Sequence, residues 1–416
     1  MRGRASTNAS FGHSVHVELA GLAANSWFRY RFALGGHESI QGRARTLPNP
    51  GAAEGRLTLC VASCQQWEDG YYVGYRHMAK EQPDYVLFLG DYIYEYAGRR
   101  RGVRTHSLPA ARDLDGYRLR YALYKSDADL QAMHAQCTWI VVPDDHDVED
   151  NYAGRHSFRN LPDFGARKAA ALQAYFENMP MRGARMHMAV ARGGLEPQLH
   201  QRYSAGLAGL HVLDTRQYRT LPGRETDGQA TMLGAAQELW LAEGLGNSRS
   251  PWNMIAVQSR FSPANYAAGR GRQYGSDTWD AFPSAREQLL RSVSNSGAKG
   301  VVFLCGDIHQ FWVSNIHRDP YDVGSEIIAA EFCTMSISSA PGVDSVRAAR
   351  SRSSNPHCLL NDVSRRGYLS LTITPERVLV SLRQVVDVAD PDSASDTLAG
   401  FEVTQREGAS VLSRLE

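Results

Sequence analysis

Five apolar runs in this 416-residue chain end in side chains able to bind metals or move protons. They are Cys64 in "VASCQQ", Asp91 with Tyr94 in "LFLGDYIYEY", Asp144, Asp145 and His146 in "VVPDDHDVEDN", Gln258 in "AVQSR", and Asp307 with His309 in "FLCGDIH". One aspartate after a strand is ordinary, because it caps the turn that follows. Five such ends are another matter: if the strands are parallel, their carboxyl ends share one rim of the sheet, where ligand groups collect. The pattern points to a polynuclear metal site rather than five separate caps.

The elements that position these residues follow from the periodicity. "RLTLCVASC", "YVLFLGD", "TWIVVPDDHD", "AGLHVLDTR", "NMIAVQS" and "GVVFLCGDIH" read as strands, with "GYYVGYRHMAKEQ" and "DADLQAMHAQ" as helices between the first three. That alternation predicts an α/β domain with a largely parallel central sheet. "YLSLTIT" and "VLVSLRQVV" read as a late antiparallel pair, and the Ser- and Arg-rich "SVRAARSRSSNP" as an exposed loop. Residues 15–48 differ: they alternate ("VHVEL", "WFRYRFAL") and carry no helical stripe, which suggests about three strands of a small β-sandwich. The expected organisation is a partial β-sandwich-like segment over 1–50, a catalytic domain over 56–390 and a C-terminal tail over 391–416.

Composition narrows the function classes. Lys+Arg 45 against Asp+Glu 44 leaves a net charge of +1, which gives no global field for nucleic acid or anionic membrane. No apolar run reaches the ~18 residues of a membrane span, and no export signal is visible at the start. The six cysteines show no CxxC spacing, which argues against a zinc ribbon and a disulfide scaffold. Nucleophile-elbow and P-loop patterns are also absent.

The ordered set "ASCQ", "LGDYIYEY", "DDHDVEDN", "LDTRQYR" and "CGDIH", behind a β-rich segment, resembles the PhoD-type alkaline phosphatase/phosphodiesterase family of the calcineurin-like metallophosphoesterase superfamily. The resemblance spans roughly residues 15 to 385. It implies an αββα sandwich with the site at one edge, hydrolysis of phosphomonoesters and phosphodiesters, and a periplasmic or secreted location. Two features depart from the pattern. Pro143 stands where a tryptophan is expected, and the N-terminal segment is short.

By the same resemblance Cys64, Asp91, Tyr94 and His309 enclose one metal, with Asp91 bridging to a second. A thiolate and a phenolate favour a highly charged ion such as Fe3+. The remaining candidates, Asp145, Asn151, Gln258 and Asp307, are mostly oxygen donors and suit one or two Ca2+, with Zn, Mn or Mg as weaker fits. A hydroxide held between two ions would attack phosphorus in line. His146, next to Asp145 in the catalytic set, is placed to protonate the leaving oxygen or to stabilise charge on the equatorial oxygens, the alternative being a histidine that orients a ligand. Arg216 and Arg219 of "LDTRQYR" are candidate phosphate grips. His134 reads as a structural histidine, and Asn151 and His156 could equally order their loop.

Two other classes remain open at this level. One is a non-catalytic calcium- or phosphate-binding protein, against which the intact "DDHD" counts. The other is a nuclease or phospholipase variant of the same chemistry. The basic loops "GRRRGVR" and "GRGRQ" would then hold a polyanionic diester, nucleic acid or phospholipid entering only as substrate. No dedicated protein partner is expected.

Overall fold

The computed structural model describes residues 1–52, 55–182, 197–223, 230–267 and 271–415; residues 269 and 270 of the "GRGRQ" run lie outside them. In the N-terminal segment the alternation yields only short strands. β1 (Trp27–Tyr30) pairs antiparallel with β4 (Gly42–Arg45), and β2 (Ala33–Leu34) with β3 (His37–Glu38). These strands lean on the large domain. The backbone N–H of Arg45 donates to Thr138 Oγ1 at 2.9 Å, and the Arg43 guanidinium donates to the carbonyl of Gln136.

Beyond the linker, period-two alternation in fully buried strands decides the architecture. In β5 (Leu57–Ala62), Leu57, Leu59 and Val61 point into one core while Cys60 and Ala62 point into another. β6 (Tyr85–Phe88) repeats this, with Tyr85 and Leu87 on one side and Val86 and Phe88 on the other. β7 is Thr138–Val141, and β5, β6 and β7 are parallel. The second sheet contains β8 (Gln201–Ala205), β9 (Ala208–Val212), β10 (Trp252–Val257), β11 (Val301–Cys305), β12 (Phe311–His317), β13 (Ile327–Cys333) and β14 (Cys358–Asp362). Its order is β14-β12-β13-β11-β10-β9-β8, with β9, β10, β11 and β13 parallel.

The two sheets face each other across a core built from Leu59, Val61, Leu87, Met254, Leu304, Phe332, Leu371 and Phe401. Burying each such side chain is worth roughly 1.5–3 kcal/mol. Helices cover both outer faces. α1 (Val73–Lys80), α2 (Leu114–Tyr124), α3 (Ala128–Gln136) and α4 (Phe164–Asn178) pack on the first sheet, and α5 (Gly234–Gly246) and α6 (Pro283–Asn295) on the second. This is the expected αββα sandwich.

Two expectations are corrected. The run "SVRAARSRSSNP" is not a loop: Ser345–Ser354 form α7, because the Asp344 side chain accepts from Arg347 N at 2.7 Å and so caps the first turn. Residues 391–416 are not a tail. After β15 (Arg366–Ile373) and β16 (Arg377–Val385), the chain adds β17 (Ser395–Arg406) and β18 (Ala409–Arg414), giving the order β18-β17-β16-β15-β5-β6-β7. Alternating Ala399, Phe401 and Val403 face the inter-sheet core, and that burial holds the segment in place.

Candidate metal centre

The parallel ends of β5, β6 and β7 meet those of β9, β10 and β11 at one rim, and glycines allow the close approach. At Gly306 a Cβ would stand 2.7 Å from Ser63 Oγ, so the ends of β11 and β5 touch only because none is there. Gly90 has φ +102°, and a Cβ would come within 2.3 Å of the Asp144 Cβ. The chain leaving β6 therefore passes directly against the chain leaving β7.

Left-handed backbone recurs around the rim: Cys64 (φ 59°), Asp91 (56°), Asn151 (56°), Asp307 (65°) and His309 (51°) all adopt it. Such strain costs of order 1–3 kcal/mol per residue and persists only where surrounding bonds enforce it. Here Cys64 N donates to Gly90 O at 3.1 Å and Gln65 N to Asp91 O at 3.1 Å. The buried Asp147 carboxylate accepts from Asp91 N (3.0 Å), Tyr92 N (3.1 Å) and Asp144 N (3.0 Å), pinning two of the loops together. Asp147 belongs to the "DDHDVEDN" motif, but the sequence alone points to no role for it. Its signal is the aspartate that follows the doublet and histidine.

The side chains aimed by this backbone form overlapping groups. Ligand atoms of Cys64, Asp91 and His309 lie within 4.8 Å of one another, and so do those of Asp91, Asp144 and Asp145, so Asp91 is common to both. Asp145, His146 and Asp150 make a third group. Tyr94 OH donates to Asp91 Oδ2 at 3.0 Å and lies 3.2 Å from His309 Nε2. His309 Nδ1 faces the carbonyl of Ala340 at 2.6 Å, which leaves Nε2 turned to the cluster. Asp307 stands at the margin, 3.5 Å from Arg216. Asn151 contributes its backbone N–H to Asp145 Oδ2 at 2.7 Å, and its side-chain amide donates to Asp150 Oδ1 at 2.9 Å. Asp144 and Asp150 were outside the expected ligand set.

Gln258 does not join them. Its Oε1 accepts from Thr215 N (3.2 Å) and Thr215 Oγ1 (2.6 Å), while Nε2 donates to Pro143 O (3.2 Å) and Leu213 O (2.8 Å). The amide is fully used in tying the end of β7 to the end of β9. His134 is equally remote, stacked on Trp139 at 3.9 Å and bonded to Tyr92 OH at 2.8 Å.

His146 stacks on Tyr94 (ring centroids 4.3 Å apart), and its Nδ1 is 3.0 Å from Oε2 of the buried Glu95. Glu95 is the second carboxylate of "GDYIYEY". Its other oxygen accepts from Asp150 N at 3.1 Å. Arg216 is buried among carboxylates: it contacts Asp144, and its Nη atoms lie 3.2 Å from Asp145, 2.9 Å from Asp277 and 3.5 Å from Asp307. Arg219 Nη2 reaches Asp277 Oδ1 at 2.5 Å. Of the "GRRRGVR" loop, Arg99 pairs with Asp69 at 2.5 Å and Arg104 with Asp127 at 2.7 Å, so both are held by the protein's own acids.

Electrostatics test whether cations belong here. Burial, then the neighbouring Asp145, raises the Asp91 carboxyl well above the usual range, and burial with Asp144 does the same to Asp307. Burial pushes Asp144 up to about 7 despite Arg216. Against its burial, Asp145 is held low by Arg216 and His146. Burial and Asp91 raise the Cys64 thiol and the Tyr94 phenol. Burial lowers His309 to about 4, keeping it a neutral donor. Asp144 Oδ2 is buried without any hydrogen-bond partner. Crowded acids, a strained backbone and an orphaned carboxylate oxygen fit bound cations, which would supply the missing positive charge.

A double-sheet α/β sandwich with such a cluster at its rim defines a metallophosphoesterase-like fold and site. The family model for PhoD-like phosphatases matches residues 59–382, and the model for the N-terminal domain of that family matches residues 1–48; the chain belongs to the PhoD-like phosphatase family. It is 39% identical over 421 residues to alkaline phosphatase D of Bacillus subtilis (strain 168), a match covering 96% of this chain and 71% of that protein. The solved structure of PhoD superposes with a TM-score of 0.92 at 38% identity, covering 99% of this chain and 81% of that one. The chain is thus a phosphoric ester hydrolase of a metal-dependent phosphatase family. Among the described residues no helix is long and apolar enough to cross a membrane.

Proposed function

We propose that the chain hydrolyses phosphomonoesters and phosphodiesters outside the cytoplasm, in the periplasm or after secretion. In this reading Cys64, Asp91, Tyr94 and His309 would hold Fe3+, and Asp91, Asp145, Asn151 and Asp307, joined by Asp144, would hold one or two Ca2+. The observation that carries it is Asp91, whose carboxylate belongs to both the thiol–imidazole group and the all-carboxylate group. A mixed soft and hard donor set on one side and oxygen donors on the other suit two different ions. When bound, the ions would lower the pKa of water and neutralise charge on the phosphoryl oxygens.

The chain's own residues complete the reaction. Glu95 takes Nδ1 of His146, which leaves Nε2 to protonate the leaving oxygen. Stacking on Tyr94 fixes the imidazole plane. Arg216, 3.2 Å from Asp145, and Arg219 beside it grip the phosphate with their guanidiniums.

The test is metal removal. A calcium-selective chelator should abolish turnover and added calcium should restore it, and Asp91→Asn should cost more than any other single replacement. Full activity of the metal-stripped chain would refute the reading. Turnover compared on a phosphomonoester, a phosphodiester, a phospholipid and single-stranded DNA then ranks the substrates.

A further inference from the structure

The two arginines of "LDTRQYR" close on a single carboxylate that no sequence motif contains. Arg216 Nη1 is 3.0 Å from Asp277 Oδ1 and 2.9 Å from Oδ2. Arg219 Nη2 is 2.5 Å from the same Oδ1, and its Nη1 donates to the Asp277 carbonyl at 3.0 Å. Two guanidinium forks converging on one anion form the arrangement by which proteins hold phosphate.

Asp277 differs from Asp144 and Asp145, the most deeply buried acids around Arg216. Asp144 and Asp145 have side chains 0% and 4% exposed and belong to the candidate cation groups, whereas the Asp277 side chain is 24% exposed and belongs to none of those groups. Its backbone is anchored directly afterwards. Thr278 and Trp279 are buried, and the Asp280 carboxylate is held by Arg260 at 3.1 Å and Arg286 at 2.8 Å. The exposed part of the Asp277 side chain faces solvent, which gives the carboxylate space to turn into.

We propose that Asp277 is an internal stand-in for phosphate. It fills the anion seat of the Arg216–Arg219 pair, gives way to the phosphoryl group of the substrate, and returns as inorganic phosphate leaves. The proposal rests on the reading of this pair as the substrate grip. A ligand that must first displace a resident anion binds with its intrinsic affinity reduced by the fraction of time the seat is open. Asp277 therefore determines how tightly the site holds anions, and it protects the enzyme from retention of its own product.

The experiment measures inhibition of the metallated enzyme by inorganic phosphate. Asp277→Asn keeps the shape and removes the charge, so the inhibition constant should fall about tenfold and KM for a phosphodiester should fall with it. Phosphate should also raise Tm more in the variant than in the unchanged enzyme. If Asp277→Asn does not fold, Asp277→Ala purified in phosphate provides the same comparison. An unchanged or weaker phosphate affinity overturns the proposal. Arg219→Gln separates the two failures. If it weakens phosphate binding while Asp277→Asn does not tighten it, only the stand-in is wrong; if it leaves phosphate binding unchanged, the grip itself is wrong and the stand-in falls with it.

Discussion

His146 is held between the Tyr94 ring and the Glu95 carboxylate, with a neighbour on each side that fixes its plane or its proton. Burial works against its charge, but Asp91, Asp145 and Glu95 together raise its pKa well above the ordinary value. His146→Ala should lower turnover by roughly 10² or more, with metal content by elemental analysis unchanged; loss of metal would make His146 a ligand or an orienting group. Tyr94 carries a second prediction. Ferric iron bound by a phenolate or thiolate gives a visible charge-transfer band, so the metallated protein should be coloured. Tyr94→Phe and Cys64→Ser should each shift or abolish the band, and Tyr92→Phe, whose hydroxyl meets His134, should leave it alone. At this scale the sequence exposed the residues that end apolar strands, because strand-end position can be read from local pattern. It did not expose Asp277 or the use of the Gln258 amide, since their partners Arg216, Arg219, Thr215 and Leu213 arrive through tertiary packing.

At the scale of elements, the ligand loops depend on how closely strand ends approach. Gly90→Ala places a methyl carbon against Asp144 at a φ that alanine avoids. It should destabilise the fold by about 3 kcal/mol or more, read as a lower Tm, and deplete metal in whatever folds; a Tm within a degree of the unchanged chain would show that the two loops have room to separate. The buried strands β5, β6, β9, β10 and β11 were legible because their apolar runs are short and bounded by turn residues. α7 was not legible, since its serines and arginines are weak signals and its start rests on one aspartate cap. β17 and β18 were missed because their alternation is diluted by polar residues on the outward face, and only the opposing sheet shows which face is buried.

For the whole molecule, the concentration of acids at one rim should couple stability to cations. Burial raises Asp147 to about 7, as it does Asp144, and Asp91 and Asp307 are shifted in the same direction. A carboxyl with a raised folded-state pKa binds its proton more tightly in the native chain than in the unfolded one. Its stabilising effect is complete below the ordinary carboxylate range and is lost as pH rises towards 7. The Tm contribution of these groups in the metal-free protein should therefore decline between about pH 4 and pH 7. Added calcium should raise Tm strongly at pH 7 and hardly at pH 4, where protons already occupy the site. Equal calcium stabilisation at both pH values would remove these acids from the cation site.

The register of the first sheet carries one more consequence. β5, which delivers Cys64, pairs on one side with β6 and on the other with β15, so that Leu57 lies opposite Ile373. The ribosome therefore releases Cys64 and Asp91 long before it makes the strand that seals their sheet. Such distant pairing slows folding, because loop closure must precede its reward. The nascent chain should stay open, without a durable metal centre, until β15 emerges. Cofactor loading should thus be a late step that waits for β15.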